Sequence, residues 1–332
     1  MEQIFFLPQR LLKNDGTERR VGVEIEMSGI ELSMIACQIN ILFGGRIEEL
    51  SPYEFRILAT ELGDFKIELD FKYLKNYARE RHKDPPQDEE MLDFEQIASD
   101  ALALVAKSVV PFEVITPPIP VSQLFRLEAL TQRLREHGAK GTRHLVIYAF
   151  GVHLNPELPD TRVETLLAYL RAFLCLYDWL AERERVSFAR KVTPFINNFP
   201  TDYIRKVLSP DYEPDLATFI DDYLQFNPTR NRVLDYLPIL AWLDEARVRA
   251  VCAEEKIGKR PTLHYRLPNS DIDNRQWSIS QCWNDWLQVE TLASDDEKLR
   301  TICHSYLRHL DIFNLEITPW REKVKKWLAN TD

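Results

Sequence analysis

Residues 20–27 (RVGVEIEM) alternate apolar and charged positions with a period of two, so Val21, Val23 and Ile25 share one face of a predicted strand while Glu24 and Glu26 share the other. A helical run from about 31 to 43 follows and is stopped by Gly44-Gly45. Two extended pieces near 53–60 and 65–71, separated by Glu61-Leu62-Gly63-Asp64, have the spacing of a β-hairpin. Residues 88–108 space Leu92, Ile97, Ala101, Leu104 and Val105 as a helix packing on a sheet. A strand at 110–115, a helix at about 122–137 ending at Gly138, and a strand at 143–154 (RHLVIYAFGVHL) complete the first half.

After Asn155-Pro156 the periodicity turns helical, with segments at about 161–185, 214–226, 237–256, 280–292, 296–313 and 319–329. A Pro-punctuated loop falls near 192–201 and one returning strand at 261–267. A sheet-rich part (18–156) followed by a helix-rich part (157–332) predicts an α+β fold with adjacent antiparallel strands. No repeat, low-complexity tract or Gly/Ser linker forces a boundary, so residues 1–332 are expected to form one interwoven catalytic domain.

Composition narrows the class. The 332 residues are 45% apolar and 28% charged, enough for a sizeable core and unlike a disordered chain. The excess of 52 acidic over 42 basic residues, a formal charge of −10, argues against a nucleic-acid partner. Five cysteines, odd in number and without a CxxC pair, argue against a disulfide framework or a zinc knuckle and fit a cytoplasmic protein. The apolar patch Ile4–Leu7 lacks a signal peptide's basic start and long core, and no run approaches the ~20 apolar residues of a membrane span.

The candidate chemistry lies in acids placed on apolar strands. Glu24 and Glu26 stand roughly 6–7 Å apart on one strand face, given a rise of about 3.3 Å per residue; taken alone, this is either a solvated face or a cation site. The same spacing recurs in Glu68 and Asp70, and Glu113 interrupts the apolar strand VVPFEVI, where an unpaired charge is costly. His153 sits in the apolar FGVHLN and, taken alone, reads as a satisfied core histidine; neighbouring carboxylates bring the metal-ligand reading level with it. Oxygen-rich ligands with one imidazole suit Mg²⁺ or Mn²⁺ better than zinc. On a strand at 262–267, His264 and Arg266 share a face, either as a surface cross-strand pair or as phosphate contacts. Arg190 and Lys191 read first as a solvated helix end and second as polyphosphate or carboxylate contacts. Trp277, Trp283 and Trp286 read as core. No P-loop, GxGxxG or GxSxG motif occurs, so any ATP site must be metal-centred.

GVEIE (22–26), the later ELD strand, PFEVITPPI (111–119), GVHLNPE (151–157) and HYRLPN (264–269) followed by Trp283-Asn284-Asp285-Trp286, in that order, resemble the bacterial amidoligase family of the carboxylate–amine ligase superfamily, which includes glutamine synthetase and glutamate–cysteine ligase. The resemblance spans about 20–290. It implies a mainly antiparallel, curved sheet of the glutamine synthetase-like type, flanked by helices, whose face holds two or three Mg²⁺ or Mn²⁺ ions beneath the ATP phosphates. It implies Glu24, Glu26, Glu68 and Glu113 as carboxylate ligands, with Asp70 an alternative to Glu68, and His153 as the imidazole ligand. Two departures stand out: Asn155 replaces the second His of the family's GxHxH pattern, and no late Glu-x-Arg strand is evident, with the Arg260–Arg266 segment in its place.

The implied activity is ATP-dependent amide-bond formation through an acyl phosphate, on a glutamate-like or peptide carboxylate and an amine, with Glu24, Glu26, Glu113, His153 and Arg266 as catalytic residues and a homo-oligomer as a possible assembly. Two rival readings use the same residues: a metal-dependent hydrolase, and a non-catalytic binding protein that keeps the ligase scaffold.

Overall fold

A computed structural model describes residues 4–69, 111–142, 150–184, 198–253, 255–311 and 318–329. The expected helix at 88–108, the start of the strand expected at 143–154, most of the expected loop at 192–201, and Asp70, Arg190 and Lys191 lie outside these residues.

The architecture is α+β. Among the described residues, nine strands form one open sheet: β1 (Arg20–Met27), β2 (Arg46–Ser51), β3 (Glu54–Thr60), β4 (Gly63–Leu69), β5 (Phe112–Ile115), β6 (Ile119–Pro120), β7 (Val152–Pro156), β8 (Leu234–Asp235) and β9 (His264–Tyr265). Their order is β2-β3-β4-β5-β1-β7-β9-β8, with β6 paired to β1, and each pairing is antiparallel. Strand β1 is central because its alternation is the strictest: Val21, Val23, Ile25 and Met27 are fully buried, each contributing about 1.5–3 kcal/mol of burial.

The buried face meets helices α1 (Leu32–Phe43), α2 (Leu127–Glu136), α3 (Val163–Arg183) and α8 (Ile279–Ala293). Phe43 of α1 stacks on Phe65 of β4 at 5.6 Å, and Tyr265 of β9 lies 6.0 Å from Phe173 of α3 and 5.1 Å from Trp286 of α8. Trp283 and Trp286 are core residues, as their spacing implies. Helices α4 (Thr201–Leu208), α5 (Leu216–Phe226), α6 (Leu237–Leu243), α7 (Glu245–Val251), α9 (Asp296–Asp311) and α10 (Trp320–Ala329) make the C-terminal half helix-rich. Among the described helices none is long and apolar enough to cross a membrane.

Several expected elements change in detail. The helix expected at 237–256 breaks at Asp244, whose carboxylate accepts from the Arg247 amide and starts α7 afresh. The strand expected at 261–267 shrinks to His264–Tyr265, with Thr262 bridging Glu157. Helix α4 occupies 201–208 and edge strand β2 occupies 46–51; β2 is exposed on both faces and shows no one-sided pattern, whereas α4 buries Tyr203, Ile204, Val207 and Leu208 on one side but spans only two turns beside the Pro-containing segment read as a loop. At the end of α1, Gly44 and Gly45 take φ of 69° and 96°, and a Cβ on Gly45 would lie 2.6 Å from the Leu58 carbonyl oxygen, so the predicted stop is enforced sterically.

Candidate metal centre and the guanidinium cluster beside it

Strand pairing turns period-two acids into rows across the sheet. Glu54 of β3 faces Glu68 of β4, Glu68 faces Glu113 of β5, and Glu113 faces Glu26 of β1. Four carboxylates therefore lie in register across four strands, where like charges directly opposite repel. Lys66 answers the outer pair, 2.7 Å from Glu68 and 3.8 Å from Glu54. One row along, Glu24 faces His153 of β7.

His153 links the rows. Its Nδ1 lies 2.9 Å from Glu24 Oε2 and its Nε2 lies 3.8 Å from Glu26 Oε1. An ionised carboxylate only accepts, so Nδ1 carries the proton and donates to Glu24, which leaves Nε2 on the side of Glu26. Glu26, Glu113 and His153 offer ligand atoms all within 4.8 Å of one another. Glu26 is further held by its backbone: its N–H donates to the Gly151 carbonyl at 3.0 Å, and its Oε2 accepts from the Gly151 amide at 2.6 Å.

Glu24, His153 and His264 form a second compact trio. Its chemistry differs. His264 Nδ1 faces two donors, Arg260 Nη2 at 3.3 Å and Arg266 Nη2 at 3.4 Å. A guanidinium never accepts, so Nδ1 accepts and the His264 proton sits on Nε2, an N–H without a lone pair for a cation. That Nε2 is buried, has no hydrogen-bond partner among the described residues, and lies 3.6 Å from Glu24 Oε2. The Glu26–Glu113–His153 trio is thus the better cation site, and the second trio presents a donor.

Charge follows from these contacts. Burial pushes the His264 imidazole well below its ordinary pKa, and Arg266 adds to the effect, so the ring is neutral. Burial would raise the Glu24 carboxyl, yet the surrounding imidazoles and Arg260 hold it well below the usual range. With His264 neutral, the hydrogen bonds from His153 and from Asn155 Nδ2 (3.0 Å) and the charge of Arg260 keep Glu24 ionised.

Residues 17–288 match the family model described as "Putative amidoligase enzyme". The chain belongs to this amidoligase family. No curated protein and no solved structure matches it. Membership supports an enzyme that forms amide bonds.

In this amidoligase the structure brings Glu24, Glu26, Glu113 and His153 together on β1, β5 and β7, with His264 and Arg266 beside them. Glu68 lies in the same row but outside both compact trios and is engaged by Lys66. The expected sites Asp70, Arg190 and Lys191 fall outside the described residues.

Two groups escaped the sequence reading. Asp235 on β8 faces His264 directly across the β8–β9 pair and is fully buried. Burial pushes its carboxyl up to about 6 against the pull of Arg266 and the Leu237 amide. An acid inside the apolar run VLDYLPIL was the available signal, the same kind that exposed Glu113. Arg230 is the other: burial and its neighbour Arg266 push its guanidinium below its ordinary value. Nothing in its local sequence distinguishes it from a surface arginine.

Proposed function

We propose that this amidoligase is an ATP-dependent carboxylate–amine ligase of the glutamine synthetase-like superfamily, acting on a glutamate-like or peptide carboxylate and an amine through an acyl phosphate. The observation that carries the reading is the trio Glu26, Glu113 and His153 at the centre of an antiparallel sheet, with ligand atoms within 4.8 Å of one another, in a chain of the amidoligase family. Carboxylates in register that also meet an imidazole lone pair have the donor chemistry of a Mg²⁺ or Mn²⁺ site, and the in-register repulsion is what a cation would relieve. Glu26, Glu113 and His153 would hold the ion. Bound there, a divalent cation supplies charge neutralisation for phosphoryl oxygens.

The rest is positioning. A carboxylate does not condense with an ammonium at neutral pH, so its oxygen attacks the γ-phosphorus of ATP, forming an O–P bond as the bond to ADP breaks. The amine nitrogen then attacks the acyl carbon; phosphate leaves, a proton is lost from nitrogen, and an amide remains. His264 and Arg266 would orient transferred phosphoryl oxygens as donors, and Glu24 fixes the His153 tautomer through its hydrogen bond. The site needs no nucleophilic side chain.

The test is incubation of purified protein with ATP, Mg²⁺ or Mn²⁺, glutamate and a pool of amines including ammonia, following ADP release and the mass of the amide. Glu26→Gln and Glu113→Gln abolish both signals. Turnover surviving both substitutions overturns the assignment; cleavage of an amide or phosphate ester without nucleotide makes the protein a hydrolase, and ligand binding without turnover makes it a binding protein.

A further inference from the structure

Helix α3 has two sides, and only one serves the sheet. Phe173 lies 6.0 Å from Tyr265 of β9. Arg171, two residues earlier, leaves the helix about 200° away at 3.6 residues per turn, on the opposite side. There, with α4 and α9, it encloses a cavity of about 990 Å³. Leu167, Leu208 and Leu299 give this cavity buried apolar walls. Arg171 is held firmly: its Nε donates to the Val207 carbonyl at 2.8 Å, and its Nη2 to the Ser209 and Tyr212 carbonyls at 3.0 and 2.9 Å. These bonds staple the end of α4 and the turn after it, and use three of the five guanidinium N–H groups. The other two belong to Nη1, which is not sealed off and has no acceptor among the described residues. No carboxylate pairs with Arg171 there either, whereas the buried Arg19 meets Glu290 with two hydrogen bonds. Burial pushes the Arg171 guanidinium below its ordinary value.

The facing wall adds to this charge. Arg300, His304 and Arg308 recur at i, i+4 and i+8 on α9, so one edge of the helix presents all three to the cavity. Neither arginine pairs with a carboxylate among the described residues; Asp311, at the end of the same helix, is taken by Arg205. Acids also reach the cavity, but they are placed differently. Glu164 and Asp296 sit in the first turns of α3 and α9, where the positive end of each helix answers them. Glu213, in the loop after α4, acts on Arg171 only through space. Three guanidiniums therefore open on one apolar-walled space, in a chain of net charge −10 that elsewhere repels anions. Directed guanidinium N–H groups without a carboxylate partner complement oxyanions, and a cavity of this size suits a ligand of nucleotide dimensions.

We propose that the cavity between α3, α4 and α9 binds an organic polyanion of nucleotide size, whose charged groups meet Arg171 Nη1, Arg300 and Arg308 and whose apolar part lies on Leu167, Leu208 and Leu299. This site is separate from the acid row and independent of the ligase reading. The probes are ATP and benzene-1,3,5-tricarboxylate, both in EDTA so that no metal ion carries them to the acid row. Each joins an aromatic ring to several negative charges, one through phosphates and the other through carboxylates. Each is titrated calorimetrically into wild type, Arg300→Glu/Arg308→Glu, Arg171→Gln and Glu26→Gln/Glu113→Gln. Arg300 and Arg308 are exposed, so reversing them leaves the fold intact, which the melting temperature checks. Arg171→Gln also removes the staple on α4, so the exposed pair is the primary variant.

At least one probe binds wild type, and its affinity falls about tenfold or more in Arg300→Glu/Arg308→Glu and in Arg171→Gln. It stays within about twofold in Glu26→Gln/Glu113→Gln, and it weakens as salt is raised. Hydrogen exchange of the peptide covering 296–311 slows when that probe is bound. Binding of ATP identifies phosphate as the group taken, and binding of the tricarboxylate identifies carboxylate. The proposal is overturned if wild type binds neither probe, if the charge-reversed pair binds as wild type does, if exchange at 296–311 is unchanged by a bound probe, or if affinity falls instead in Glu26→Gln/Glu113→Gln. That last result would return the anion to the acid row.

Discussion

Glu290→Gln is the substitution whose cost the structure lets one work through. Arg19, at the entrance to β1, is fully buried and meets Glu290 of α8 with two hydrogen bonds, Nη2 to Oε1 at 2.5 Å and Nη1 to Oε2 at 2.8 Å. Its Nε donates to the Glu157 carbonyl at 2.8 Å and its Nη1 also to the Arg10 carbonyl at 2.9 Å, and Trp286 Nε1 donates to Glu290 Oε1 at 2.8 Å. A glutamine keeps the shape and an acceptor for Trp286 but leaves a guanidinium buried without its counter-charge, which costs about 3–5 kcal/mol. At an unfolding entropy of about 2.1 cal/mol/K per residue, a chain this long has about 0.7 kcal/mol/K, so the melting temperature should fall by about 4–7 °C. Differential scanning calorimetry measures the shift. The companion Arg19→Met/Glu290→Met removes both charges and should recover most of the loss, less the orphaned Trp286 N–H. A fall under about 1 °C for Glu290→Gln would refute the claim that the pair carries an uncompensated charge when broken. Because Arg19 precedes the strand that bears Glu24 and Glu26, a loosened staple should also blur the register of the acid row.

Further expectations concern the site and its surroundings. Glu113→Gln should weaken Mn²⁺ binding at least about tenfold, whereas Glu68→Gln, whose carboxylate is engaged by Lys66, should change it less than about threefold; equal losses would move Glu68 into the ion's coordination. Asp235 has a folded-state pKa raised from 3.8 to about 6, so the native state binds its proton more tightly than the unfolded chain. Its contribution is neutral below pH ~4, falls through pH ~4–6 and stands above that as a penalty of about 3 kcal/mol. Urea unfolding of wild type and Asp235→Asn at pH 4 and 7.5 should show the variant gaining about that much relative to wild type at the higher pH; a gap independent of pH contradicts the assignment. Of the five cysteines only Cys37 is exposed, so a thiol reagent should modify one cysteine rapidly in the native protein, and Cys37→Ser should remove that fast phase.

Where local periodicity and burial agree, the fold was readable in advance. The alternation of β1 predicted its span to the residue, and α1, α3, α5 and α8 to α10 begin and end within two residues of their expected limits. β8, an element of two residues, carries no period to read; its partner across the sheet creates it, and the same pairing leaves only two residues of the strand expected at 261–267. The same holds for β2, an edge strand exposed on both faces, where no side of the pattern is apolar.

The chemistry divides along the same line. Residue order alone placed Glu24 and Glu26 on one face of a strand, marked Glu113 and His153 as polar groups in apolar strands, and set His264 and Arg266 on a shared face. It could not say which acids meet, because that depends on strand register between segments far apart in sequence. Pairing of β1 with β5 put Glu26 against Glu113, and pairing with β7 put His153 against Glu24, which in turn decided which imidazole nitrogen is free. Only the β7–β9–β8 pairings brought Arg260, Arg266 and Asp235 to the other side of the two histidines. The acids and bases were visible in the chain because their cost is local, a charge among apolar neighbours; which of them stand together is tertiary, because it is set by hydrogen bonds between segments that the sequence keeps more than a hundred residues apart.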